Sequence, residues 1–275
     1  MTPAARRVSR PRRLLVAGLA LALAAGVAGC AGRSSMTTGS VGSTSSLGKP
    51  VDQMSSAELH SAADSLGKRY ASNPSDKQTA MGYASVLQMN GRADQSLAVM
   101  RKLAISLPED REVLAAYGKS LAASGEFEPA LDAIRRAQTP EYPDWKLLSA
   151  EGAILDQLGQ QGQARKLYRK ALDLKPGEPS ILSNLGLSYL LEGDLKTAET
   201  HMRSAVDGAG ADSRVRQNLA LVVGLQGRFQ EAEQIARQEL SQQQAEANVT
   251  YLRSMLAQQN AWNELKDEKK ETNTN

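Results

Sequence analysis

An all-α solenoid of stacked helical hairpins is the architecture that three regularities in this sequence predict. Five glycines, Gly91, Gly125, Gly159, Gly193 and Gly227, stand 34 residues apart without a slip, and a fixed period of that length marks a repeated supersecondary unit. Two further columns keep the step and hold only small side chains: Ser96, Ala130, Ala164, Ala198 and Ala232 after each glycine, and Ala84, Gly118, Gly152, Gly186 and Ala220 before it. A helix breaker then follows the glycine, as Pro108 and Pro176, with Pro74 in the same phase one period earlier, where no turn glycine precedes it. Two antiparallel helices approach closely only where neither carries bulk at the crossing, and a glycine between them supplies a turn with positive φ. Proline ends the second helix and forces the residue before it to be extended.

Along the chain, residues 1–29 read as a leader. Arg6, Arg7, Arg10, Arg12 and Arg13 precede an apolar stretch from Leu14 to Ala28, the zones of a secretory signal. A plain membrane span is the alternative, but about fifteen apolar residues fall short of the roughly twenty that cross a bilayer core. Val27-Ala28-Gly29-Cys30 resembles the bacterial lipobox, and Cys30 is the single cysteine of the chain, without an internal disulfide partner. That resemblance implies a lipid on the Cys30 sulfur, cleavage before it, and acylation of the new amino terminus. Several acyl chains, at about 0.8 kcal/mol per buried CH₂, hold a protein durably at a membrane. Ala31 in place of Asp implies, by likeness to enteric-type lipoproteins, the periplasmic face of the outer membrane. Arg12-Arg13 lacks the rest of a twin-arginine signal, so ordinary secretion is expected.

The basic charge belongs to that leader. The whole chain carries a formal +3, but without its five leader arginines 28 Lys and Arg stand against 30 Asp and Glu, a net of −2. This leaves no case for a nucleic-acid partner. Residues 30–52 comprise Cys30 and a Gly, Ser and Thr tether that cannot bury enough apolar surface to fold. Its root-mean-square reach is on the order of 25 Å.

The array is expected over 53–244. A helix from Ser56 to Ser72, capped by Ser55 or Ser56, supplies a half repeat, and five hairpins follow. Leu114, Tyr117 and Leu121, then Leu148 and Leu155, then Leu182, Leu185 and Tyr189 recur at helical spacing as core. Aromatics are only 4 % of the chain, which suits a thin solenoid core shared between neighbours better than a thick globular centre. Residues 245–265, with Val249, Leu252 and Leu256 in helical register and no further turn glycine, read as a capping helix. Residues 266–275 read as a disordered tail.

Small-Gly-small at this step, an aliphatic or Tyr before the turn and Pro at the end together resemble the tetratricopeptide repeat. The resemblance implies a right-handed superhelical solenoid with a C-terminal capping helix. The usual Trp of each unit is replaced by Ala80, Leu114, Leu148, Leu182 and Arg216. An irregular helical bundle is the rival architecture.

No catalytic residues, cofactor or metal are expected. His60 and His201 are the only histidines, read as solvated or capping residues; no phosphate loop, nucleophile elbow or zinc motif appears. Function is expected on the groove lined by the first helix of each pair. Asn184 and Asn218 share a register in which related peptide-binding arrays carry an asparagine ladder, and their amides offer an extended backbone both donor and acceptor. Leu187, Leu191, Leu221 and Leu225 are expected to line the same groove, with Arg214 meeting an acidic group or a terminal carboxylate. The bland alternative is that two asparagines are tolerated on a wet face and the leucines are inter-repeat core. Asn248-Val249-Thr250 matches the glycosylation sequon and is discounted within a helix.

Arg214 to Ala236 (RVRQNLALVVGLQGRFQEAEQIA) and Ala247 to Leu256 (ANVTYLRSML) are similar to the carboxy-terminal part of the TadD family, tetratricopeptide lipoproteins of the Tad (Flp) pilus assembly system. The resemblance is most specific over residues 180–256. It implies a non-enzymatic outer-membrane scaffold that binds a protein partner, the secretin or another pilus component, with a lipid contact to the membrane and no small-molecule substrate. Other readings are a pilotin or assembly chaperone of another envelope system, such as a type IV pilus or outer-membrane protein assembly, an activator of a peptidoglycan enzyme, or an enzyme.

Overall fold

The computed structural model describes residues 50–141 and 143–272; the leader, Cys30 and all but the end of the tether lie outside the described residues. A 3-10 turn at Val51–Gln53 leads into α1 (Ser56–Ser72). Five hairpins follow: α2 (Lys77–Met89) with α3 (Ala93–Ser106), α4 (Arg111–Ala123) with α5 (Phe127–Ala137), α6 (Trp145–Gln157) with α7 (Gln161–Leu174), α8 (Pro179–Glu192) with α9 (Leu195–Val206), and α10 (Ser213–Leu225) with α11 (Phe229–Ala236). The last helix is α12 (Gln242–Thr272). The helices form two compact units that divide between Pro176 and Gly177: α1–α7 in the N-terminal unit, α8–α12 in the C-terminal one.

Helix α1 starts on a capping box. The Glu58 amide donates to Ser55 Oγ (3.3 Å) and the Ser55 amide to Glu58 Oε2 (2.6 Å), so two otherwise unpaired N–H groups are satisfied. The first helix of four hairpins is capped by an aspartate side chain, Asp76, Asp110, Asp144 or Asp212. These fall on the same 34-residue step, with Glu178 in the fifth place. There the side chain does not cap, and Pro179 opens the helix instead, a position where no N–H is needed.

Each turn glycine has positive φ, between 73° at Gly91 and 86° at Gly193. The column of small residues before it has a specific partner in the second helix. A Cβ built on Gly118 meets Ile134 Cγ1 at 2.8 Å, one on Gly152 meets Tyr168 Cε1 at 2.7 Å, and one on Gly186 meets Met202 Cε at 3.0 Å. The large side chain of one helix therefore occupies the volume that the other leaves empty. Where Ser96 replaces the alanine of its column, its buried hydroxyl donates to the Ala84 carbonyl at 2.8 Å.

Of the expected core, Leu114, Leu121, Leu155 and Leu185 are buried, while Tyr117, Leu148, Leu182 and Tyr189 are half-buried. Among the described residues the largest fully buried side chain is Tyr168, whose Oη donates to Asp156 Oδ2 at 2.8 Å. Burial and the Asp156 carboxylate push that phenol well above its ordinary pKa. His60, exposed, places Nδ1 2.7 Å from the Ser56 carbonyl of its own helix. His201 is half-buried, and its ring stacks on Tyr189 with centroids 5.4 Å apart.

Helix α12 also differs from expectation. It begins at Gln242 and runs to Thr272, through a segment expected to be disordered. Lys and Glu in this stretch are strong helix formers, and a helix already nucleated extends at low cost. Its first turns close the array: Ala245, Val249 and Leu252 are buried, and a Cβ on Gly224 would meet Leu252 Cδ1 at 2.9 Å.

Candidate functional site: the open face of the first helices

In the C-terminal unit, Asn184, Leu187 and Leu191 of α8 are half-buried, as are Arg214, Asn218, Leu221 and Leu225 of α10. At 100° per residue each set spans only about 60° of its helix. Each set lies between two buried flanks: Ile181, Leu185 and Ser188 on one side and Ser183 and Leu190 on the other in α8, and Val215, Leu219 and Val222 on one side and Ala220 and Gly224 on the other in α10. α8 and α10 also touch each other, so the two stripes lie side by side.

The asparagine register is built into the packing. Asn218 Nδ2 donates to Ser183 Oγ of the preceding first helix at 3.0 Å, and Ser183 Oγ donates to Met202 Sδ at 3.6 Å. One amide hydrogen of Asn218 is thereby committed, which orients the remainder of the amide. Leu187, Leu221 and Leu225 rest against the core of this unit, leaving part of each side chain accessible. They are at once inter-repeat packing and groove lining.

Arg214 already has an acidic partner. Its Nε and Nη2 donate to Asp212 Oδ2 at 3.0 and 2.5 Å, while Asp212 Oδ1 accepts from the Val215 amide at 3.1 Å. Burial raises the Asp212 pKa, but the bonds from Arg214 and Val215 outweigh it and hold the carboxyl below its ordinary value. The cap of α10 thus anchors the arginine at the mouth of the stripe.

The N-terminal unit presents a different surface in the same register. Most of its positions hold small side chains, Gly82, Ser85, Ala116, Ala123, Ala150 and Ala153, and the rest Met89, Gln157 and Lys119, with Gln78, Glu112 and Lys146 in the place of Arg214. Burial first, and then the ammonium of Lys146, lower Lys119 to about 8 against the opposing pull of Asp144. The Lys146 ammonium lies 5.6 Å from the centroid of the Trp145 ring.

On the outer side of the C-terminal unit, Glu199 accepts from Arg203 (2.8 Å), Arg228 (2.7 Å) and Gln226 (2.7 Å), and Arg203 and Arg228 both reach Glu231. Burial opposes ionisation of Glu199, but the three donors outweigh it and pull its pKa down to about 2. Among the described residues no group of His, Cys, Asp and Glu is arranged to hold a metal ion, and no helix is long and apolar enough to cross a membrane.

Ser183, Asp212 and Lys119 were not among the expected site residues. The acid caps were legible, since they obey the 34-residue step; the Ser183 link was not, because it depends on the distance between two helices.

A protein-family model described as TPR repeat matches residues 152–193. No protein of curated function matches the chain. A thermophilic TPR protein of Thermus thermophilus aligns at 22 % identity over 61 % of this chain and 91 % of its own, with a TM-score of 0.52. A tetratricopeptide repeat protein from Parabacteroides merdae aligns at 17 % identity over 74 % and 81 %, with a TM-score of 0.55. The fold is a tetratricopeptide-repeat solenoid.

Proposed function

We propose that this protein is a non-enzymatic, lipid-anchored scaffold of the bacterial envelope that assists assembly of the Tad (Flp) pilus. It captures an extended segment of a partner protein, the secretin in this reading, on the open face of α8 and α10. The observation that carries the binding mode is the pairing of equivalent half-buried stripes, Asn184, Leu187 and Leu191 beside Asn218, Leu221 and Leu225. Amides arranged among accessible aliphatic side chains offer backbone hydrogen bonds and side-chain pockets together.

The pathway rests on the likeness of residues 180–256 to TadD proteins, and the anchor on the lipobox at Cys30, facing the periplasm from the outer membrane. Tethering at a surface raises the local concentration of a captured partner. Cys30→Ala is expected to leave the solenoid folded and release the protein from the membrane fraction; a variant still membrane-bound and fully active removes the anchor from this reading. Asn184→Asp with Asn218→Asp is expected to abolish co-purification of the secretin from crosslinked envelopes. Undiminished capture by a folded double variant places the groove elsewhere.

A further inference from the structure

We propose that Ser183 is a positioning residue for the captured segment: it holds the Asn218 amide by its nitrogen and so presents Asn218 Oδ1 as the acceptor for one backbone N–H of the partner. Resting on the groove proposed above for α8 and α10, this assignment fixes the polarity of one contact and the chemistry the segment must bring to it.

Ser183 lies in one of the two buried flanks of α8 and is 4 % exposed, which keeps it out of reach of a bound segment. Anything it does for binding passes through a neighbour. Its Oγ accepts from Asn218 Nδ2 at 3.0 Å and donates to Met202 Sδ at 3.6 Å, and Met202 is fully buried. A thioether has no proton to give and a hydroxyl has only one. With that proton directed at Met202, the lone pair facing α10 requires a donor, and the donor end of the asparagine amide is its nitrogen.

Asn218 itself is half-buried. Among the described residues the bond to Ser183 is the only one its side chain makes, and Oδ1 is not one of the buried atoms left without a partner, so this oxygen keeps accessible surface. An unheld asparagine can offer a ligand either end of its amide, donor or acceptor. Here the nitrogen is drawn towards the interior between α8 and α10, and the oxygen, across the amide carbon from it, is directed away. An acceptor at this point selects a segment with an N–H opposite, and proline, which has none, is rejected there. Holding the amide in the free protein also removes the ordering cost of that side chain from the binding step. The N-terminal unit has no equivalent, since the Asn218 register holds Gly82, Ala116 and Ala150 there.

The test measures, by fluorescence anisotropy, the binding of short labelled peptides that tile the secretin to the full chain in detergent micelles. The tightest peptide is then N-methylated at one backbone nitrogen at a time, and each form is measured against the wild-type chain, Asn218→Ala and Ser183→Ala. In the wild-type chain, methylation of the nitrogen opposite Asn218 is expected to weaken binding about fivefold, the worth of one hydrogen bond. That penalty should vanish in Asn218→Ala and shrink in Ser183→Ala, while penalties at the other nitrogens persist. A purely structural role for Ser183 lowers affinity for all peptide forms alike and leaves their ratios unchanged; circular dichroism with thermal melting checks that both variants retain the fold. The proposal is overturned if Ser183→Ala keeps the wild-type ratios, or if no methylation penalty depends on Asn218. In either case, loss of binding in the Asn184→Asp, Asn218→Asp chain leaves the groove standing. Absence of binding by every peptide, or undiminished binding by that double variant, removes the groove and this contact together.

Discussion

The hairpins α6/α7 and α10/α11 derive from the same 34-residue unit yet are held together in different ways. In the first, Gly152 leaves a space that the buried Tyr168 ring fills, and the Tyr168 hydroxyl is satisfied by Asp156. In the second, Ala220 faces a second helix of only eight residues ending at Ala236, and Ala236 clusters with Ala220 and Ala245 of α12. One crossing is filled from within the hairpin. The other is small against small, and Ala245 of α12, with Ile235 and Leu240, packs around it. A repeat can therefore relinquish its own large core residue where neighbouring segments close around the small crossing.

The largest expected effect comes from closing the space at the first crossing. Gly152→Ala puts a methyl group 2.7 Å from the Tyr168 ring, and such overpacking costs about 2–3 kcal/mol. Thermal or urea unfolding should show it, and Tyr168→Leu in the same chain should recover part of the loss. Enlarging the second crossing sharpens the contrast: Ala236→Met alone should destabilise by roughly 1–3 kcal/mol, and Ala220→Gly beside it should relieve much of that. If the double variant is no better than the single one, the crossing is not the determinant.

Tyr168→Phe keeps the packing and removes the donor to Asp156, so a loss of about 1–2 kcal/mol is expected by urea titration. The acid caps separate the helices further. Asp110→Ala or Asp212→Ala should each cost about 1 kcal/mol, whereas Glu178→Ala, whose side chain makes no cap, should lie within a few tenths.

A further effect is an acid dependence to which Glu199 of the C-terminal unit contributes beside the capping Asp76, Asp110 and Asp212. The folded pKa of Glu199, about 2, lies below its ordinary 4.5, so the unfolded chain takes up its proton first on acidification. The stability it contributes is complete above pH 4.5 and is lost as pH falls towards 2. Glu199→Gln should flatten that limb of the stability curve and lower stability at neutral pH, where the contribution it removes is complete. A limb of equal slope in the variant would assign the acid sensitivity to other carboxylates.

The two units also differ on the face read as functional. Mostly small side chains, with Lys119 and Lys146 among the exceptions, occupy the register in the N-terminal unit, and paired Asn and Leu stripes occupy it in the C-terminal unit. That difference was legible beforehand, since it follows from counting along a helix from the turn glycines. The commitments of these side chains were not. Asn218 is oriented by Ser183, 35 residues away, and Arg214 is drawn back onto Asp212; both depend on where one helix lies against the next.

What the chain alone determined is whatever repeats: the hairpin, its turn glycine, the small crossing column, the acid caps and the count of five units. Local sterics and helix periodicity act within a few residues and are therefore visible as spacing. Only the tertiary structure decided which large residue fills each crossing and which polar groups are already paired. Those outcomes depend on distances between helices, and the identity of a residue at one position does not contain the distance to its neighbour.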